Sequence, residues 1–67
     1  MTQREQVLAY IREYGSITPL DAFRDLGCTR LAARINDLEK EGYTFNRKYE
    51  TQPNRYGKKV TYMRYSL

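Results

Sequence analysis

The sequence predicts an α+β domain of three helices followed by a C-terminal β-hairpin, on three observations. Apolar residues recur at helical spacing in three successive segments, each marked by start or stop signals. After Gly42 the period changes from helical to alternating. The alternating part is broken once by a stretch rich in turn-forming residues, so it folds back on itself. At 67 residues there is room for one core, and residues 1–67 are read as a single domain.

The first helix is placed at residues 3–14. Thr2-Gln3-Arg4-Glu5 has the form of a capping box, in which the threonine caps and the glutamate reaches back. Val7, Leu8, Ile11 and Tyr14 supply one apolar stripe, and Gly15 suits the left-handed position past a helix end. Ser16-Ile17 leaves space only for a short extended bridge. The second helix, residues 19–26, opens on Thr18 as N-cap, Pro19 at the first helical position and Asp21 in the first turn. Leu20, Phe23 and Leu26 share a face, with small Ala22 beside them, and Gly27 ends it.

The third helix is placed at residues 29–41, with Gly42 as its stop. Leu31, Ile35 and Leu38 define its buried side. At 3.6 residues per turn, Thr29, Ala33 and Lys40 lie nearly opposite, flanked by Arg30, Asn36 and Asp37, with Arg34 nearer the boundary. The hairpin is placed at residues 43–67. Tyr43, Phe45, Arg47 and Tyr49 point one way; Met63, Tyr65 and Leu67 form the inward face of the return strand. The stretch Thr51 to Lys58 is the turn-rich part.

Composition narrows the function. There is no histidine and one cysteine, Cys28, which removes the commonest general base and any usual zinc site. No paired constellation of carboxylates, tyrosines or lysines replaces them, so no catalytic residue, metal or cofactor is expected and the protein is read as a non-enzyme. Cys28 has no partner for an internal disulfide, which favours a reducing compartment, and it reads as a small buried residue at a turn. No apolar stretch approaches a membrane span, and the polar N-terminus lacks a signal-peptide pattern. Net charge is +4, unevenly spread: residues 1–42 hold six basic and seven acidic residues, residues 43–67 six basic and one acidic. A concentrated basic segment attracts polyanions, with nucleic acid the leading candidate; a solvated basic surface is the plainer alternative.

The element order is that of a winged helix-turn-helix, in which the third helix enters the major groove of double-stranded DNA and the hairpin is the wing. The charge distribution along the third helix agrees. It carries Arg30 and Arg34 in its first half and Asp37, Glu39 and Glu41 in its second, against the helix dipole. An N-terminal end that meets a polyanion accounts for that inversion. Candidate DNA contacts are therefore Thr29, Arg30, Ala33 and Arg34 on the helix, with Asn54, Arg55, Tyr56, Lys58 and Lys59 on the wing. Ala33 leaves room for close approach. Arg34 has a competing reading as an i, i+3 partner of Asp37. The wing cations act through charge rather than by reading bases. Tyr56 either packs on a sugar or covers the turn.

The block Gly27-Cys28-Thr29-Arg30-Leu31-Ala32-Ala33-Arg34-Ile35-Asn36-Asp37-Leu38, followed by Glu41-Gly42-Tyr43, resembles the small helix-turn-helix domains of bacteriophages and prophages. Gly15-Ser16-Ile17-Thr18-Pro19-Leu20 and the terminal Arg64-Tyr65-Ser66-Leu67 are similar to that family too. The resemblance implies a DNA-binding protein of phage or bacterial origin in the bacterial cytoplasm but is much less specific for a task; a transcriptional regulator is the leading reading. It departs from many bacterial regulators in its short turn, with Gly27 and Leu31 only four positions apart. Two other readings stand beside the regulator. One is an excisionase-like architectural factor that bends DNA; the other is an interaction module that binds a host protein. Weak binding by one module favours a homodimer or tandem sites.

Overall fold

A computed structural model describes residues 1–67. Helix α1 spans Gln3–Tyr14, α2 spans Pro19–Leu26 and α3 spans Leu31–Lys40; strand β1 spans Asn46–Pro53 and β2 spans Lys59–Ser66. The strands pair antiparallel, from Asn46 opposite Ser66 to Pro53 opposite Lys59. Three helices followed by a two-stranded hairpin is the architecture that the sequence predicts.

Both early helices begin as their capping sequences require. Thr2 Oγ1 accepts from the Glu5 amide at 3.3 Å while Glu5 Oε1 accepts from the Thr2 amide at 2.9 Å. Thr18 and Asp21 repeat the exchange at 3.2 and 3.1 Å. Each box occupies amides that an open helix end leaves free. At the far end of α2, Gly27 adopts φ +65°, and the Cys28 amide reaches back to the Ala22 carbonyl at 2.9 Å. That bond turns the chain sharply toward α3.

The core is one cluster. Val7, Leu8 and Ile11 of α1 meet Leu31, Ile35 and Leu38 of α3, closed by Ile17, Ala22, Cys28, Phe45 and Tyr65. The base of the hairpin is sealed onto this core by a single-residue third strand. Ile17 and Tyr65 exchange two backbone hydrogen bonds of 2.9 Å each. Arg64 reinforces the junction by donating to Ser16 Oγ at 2.8 Å.

Five sequence expectations are corrected here. Helix α3 starts at Leu31 rather than 29, because Cys28 is committed to the turn and Arg30 sits at φ −128°, ψ 59°, outside the helical region. It also ends one residue early, with Glu41 as its cap. Strand β1 starts at Asn46 rather than 43, since the Tyr43 amide is still bonded to the Leu38 carbonyl at the end of α3. The face of α2 was misassigned: Ala22 is fully buried, whereas Leu20 and Phe23 are 66% and 60% exposed. The small side chain lets α2 sit close to its neighbours, and the two large ones fall to the outside. Leu67, expected to point inward, is 49% exposed.

Candidate nucleic-acid interface

The wing is long and bare. Every residue from Thr51 to Thr61 is exposed, and the molecule measures 39 × 22 × 20 Å, so one axis is nearly double the others. The loop joining the strands is residues 54–58, and Asn54 organises it. Its side-chain Oδ1 accepts from the Tyr56 and Lys58 amides, both at 3.0 Å, while its own amide donates to the Lys58 carbonyl at 2.8 Å. Gly57 takes φ +77° to complete the turn. Thr51 and Thr61 are joined across the strands by their hydroxyls at 3.2 Å. The carboxamide oxygen of Asn54, a predicted DNA contact, is thus engaged within the loop. Its neighbours Arg55, Tyr56, Lys58 and Lys59 are displayed, with Tyr56 88% exposed.

Ion pairing sorts the cations into two groups. Arg4 pairs with Glu41, Arg24 with Asp21 and Asp25, Arg34 with Asp37, Arg47 with Glu39 and Arg64 with Glu50. Hydrogen bonding to these carboxylates holds Arg24, Arg47 and Arg64 above the ordinary arginine value. The partners respond: Arg47 lowers Glu39, and Arg24 with Tyr10 lowers Asp25. Tyr10 itself is raised, chiefly by its 2.6 Å hydrogen bond to Asp25. Arg12, Arg30, Lys40, Lys48, Arg55, Lys58 and Lys59 are in none of these pairs, Arg12 lying instead 5.9 Å over the Tyr43 ring, and residues 51–60 contain no acid. Four of these seven uncompensated cations, Lys48, Arg55, Lys58 and Lys59, are on the wing, and Arg30 and Lys40 stand at the two ends of α3.

That helix start differs from the other two. It has neither a side-chain cap nor an acid in its first turn. The first amide to find a helical carbonyl is that of Arg34, 3.2 Å from the Arg30 oxygen. Several N–H groups thus remain open beside exposed Thr29 and Arg30, a setting that favours an anion.

The other two helical candidates are less available. Ala33 is half-buried. Arg34 Nε lies 3.2 Å from Asp37 Oδ2, yet its N–H is out of alignment and the buried nitrogen has no hydrogen-bond partner. In the free protein Arg34 follows the i, i+3 reading. Also exposed are Ala32, Asn36 and Lys40, at i, i+4, i+8 along one side of α3, and Lys48 on β1, none of them among the residues that the sequence singles out. Helical phase already put Asn36 and Lys40 toward the outside, and alternation did the same for Lys48.

The wing and the helix are mechanically joined. Arg47 donates from both terminal nitrogens to Glu39, at 2.6 and 3.1 Å, and its guanidinium lies 5.5 Å over the Tyr65 ring. A planar fork held at three points fixes the base of the hairpin against the C-terminal half of α3.

Comparison with known families gives one match: a model described as a winged helix-turn-helix domain aligns with residues 2–67. No curated protein and no solved structure matches the chain.

Proposed function

Since the chain belongs to the winged helix-turn-helix domain family, we propose that it is a sequence-specific double-stranded DNA-binding protein acting as a phage or prophage transcriptional regulator in the bacterial cytoplasm. The observation that carries this reading is the placement of unpaired charge. Of the seven cations without a carboxylate partner, Lys48, Arg55, Lys58 and Lys59 lie on the projecting wing and Arg30 and Lys40 at the two ends of α3, with Arg12 on α1 the exception. Helix α3 lies in the major groove, with Arg30 and the open amides on a phosphate at its N-terminal end. Arg55, Lys58 and Lys59 lie on the backbone and bind by releasing counterions. The phage assignment is supported by the resemblance of the turn and third-helix residues. An excisionase-like role uses the same contacts and differs in bending the duplex, which gel mobility of circularly permuted fragments distinguishes.

The test is binding to random-sequence duplex DNA across a salt series, comparing wild type with the R55A/K58A/K59A variant. Binding that weakens with salt and collapses in the variant is the expected result. Absence of binding at low salt overturns the proposal.

A second reading is favoured by one observation, the exposed apolar pair Leu20 and Phe23 on α2. Such a pair suits a protein contact, with a second copy of the chain or a host protein. Sedimentation equilibrium of wild type against F23S tests the homodimer: a variant that lowers the average mass supports it, and a monomeric wild type rejects it.

A further inference from the structure

We infer that Asn36 is the base-reading residue of α3 and that the site it reads contains an adenine, with a thymine methyl against Ala32. The inference rests on the DNA-binding reading above and adds which base is read and by which atoms.

The argument is one of elimination along α3. Its side chains facing the core are Leu31, Ile35 and Leu38. Arg34 and Glu39, flanking them, are tied to Asp37 and Arg47. What remains exposed within the helix is the row Ala32, Asn36 and Lys40. Lysine binds as a point charge on a flexible stem, and alanine offers only a methyl group. Asn36 alone in the row carries a donor and an acceptor fixed in one plane.

The other asparagines show that this availability is not general. Asn46 donates to the Leu67 carbonyl at 3.5 Å, and Asn54 accepts from two loop amides. Asn36 makes no such bond and sits in mid-helix, where a short polar side chain contributes little to helix stability.

An asparagine carboxamide matches adenine in the major groove, accepting from N6–H and donating to N7. Alanine contributes apolar contact with the C5 methyl of thymine. Four residues of helix rise by about 6 Å, against about 3.4 Å per base pair, so the two contacts fall roughly two base pairs apart. Arg30, set at the open helix end, stays with the phosphate.

The experiment is selection of the full chain against a random duplex library, repeated with N36A, whose exposed position leaves folding intact as circular dichroism will verify. The expected outcome is one strongly fixed adenine for wild type that becomes unconstrained for N36A. Binding of both proteins to random-sequence DNA should keep the same salt dependence. Replacing that adenine by 7-deazaadenine should weaken wild-type binding about tenfold and leave N36A unchanged. Uracil in place of the neighbouring thymine should weaken both proteins alike and spare an A32G variant. A selected site with no fixed adenine, or an adenine still fixed for N36A, overturns the inference while leaving DNA binding in place. Failure to bind any duplex at low salt overturns the binding reading itself.

Discussion

Arg47 and Glu39 form a two-pronged link, 2.6 and 3.1 Å, between the first strand of the wing and the C-terminal half of α3. The loop at the wing tip begins seven residues beyond Arg47, roughly 23 Å along an extended strand. A small rotation at this link therefore moves the tip cations a long way across a DNA backbone. Replacing Glu39 by Gln keeps the shape and removes the charge that holds the fork. The expected outcome is weaker DNA binding with little loss of fold, checked by titration with duplex alongside circular dichroism.

The same link contributes to an acid limit on stability. Glu39 is lowered by its hydrogen bonds from Arg47, Asp25 by Arg24 and then Tyr10, and Glu5 by the Thr2 backbone and hydroxyl. Folded values below the unfolded ones mean that these groups stabilise above about pH 4.3, and that the benefit disappears as pH falls through the folded values. With no histidine present, no side chain ordinarily titrates between about pH 5 and 8. Urea midpoints should stay level across that range and fall below about pH 4. The E39Q variant should show a shallower fall.

Wing charge and wing shape can be separated. The R55A/K58A/K59A variant should keep wild-type stability within about 0.5 kcal/mol, since these side chains are exposed and unpaired. If all three meet phosphates, it should reduce the slope of log affinity against log salt by about 2.7. Asn54→Ala keeps every charge but removes the acceptor that orders the loop. It should weaken binding with the salt slope retained in larger part, which the same titrations will show.

Core and surface substitutions should diverge on α2 and α3. Ile35→Ala, at a site 1% exposed, should cost about 2–5 kcal/mol by urea denaturation. Phe23→Ala removes a larger side chain but should cost about 0.5 kcal/mol or less, as a surface change. The contrast tests the most instructive departure from the sequence reading. Leu20, Phe23 and Leu26 recur every third residue and were read as a core face, but in two helical turns apolar residues cover much of the circumference. Periodicity alone then leaves the inward direction open. Packing decides it, and the structure favours the side where Ala22 permits close approach.

Where the local signals were chemical rather than periodic, the sequence was more informative. The capping threonines, the glycines at Gly15 and Gly27 and the change of period after Gly42 all located element ends to within a few residues. The uncapped start of α3 is the exception. Its start depends on residues 28–30 being drawn into the turn by a hydrogen bond from Cys28 back to Ala22, a contact that Gly27 signals as the end of α2 but not as the start of α3. The pairing of Arg34 became decidable only with its geometry.

Cys28, 1% exposed, supplies a readout of folding. Its thiol should resist alkylation in the native protein and react at the rate at which the core opens. Mass spectrometry after timed iodoacetamide labelling, with and without urea, will check this.

The single-residue strand at Ile17 has a kinetic consequence. Its two hydrogen bonds to Tyr65 close a loop that contains α2, α3 and the whole wing, so the return strand cannot peel away by itself. Detaching it also releases the joint between α1 and α2, which makes the two events one cooperative opening. Native-state hydrogen exchange should accordingly show Ile17 and Tyr65 amides emerging together, at a free energy near that of global unfolding. The Arg55 amide should exchange freely throughout, while those of Tyr56 and Lys58, held by Asn54, exchange as the loop opens. The root of the wing is thus as durable as the core, because it can be released only together with the joint between the first two helices.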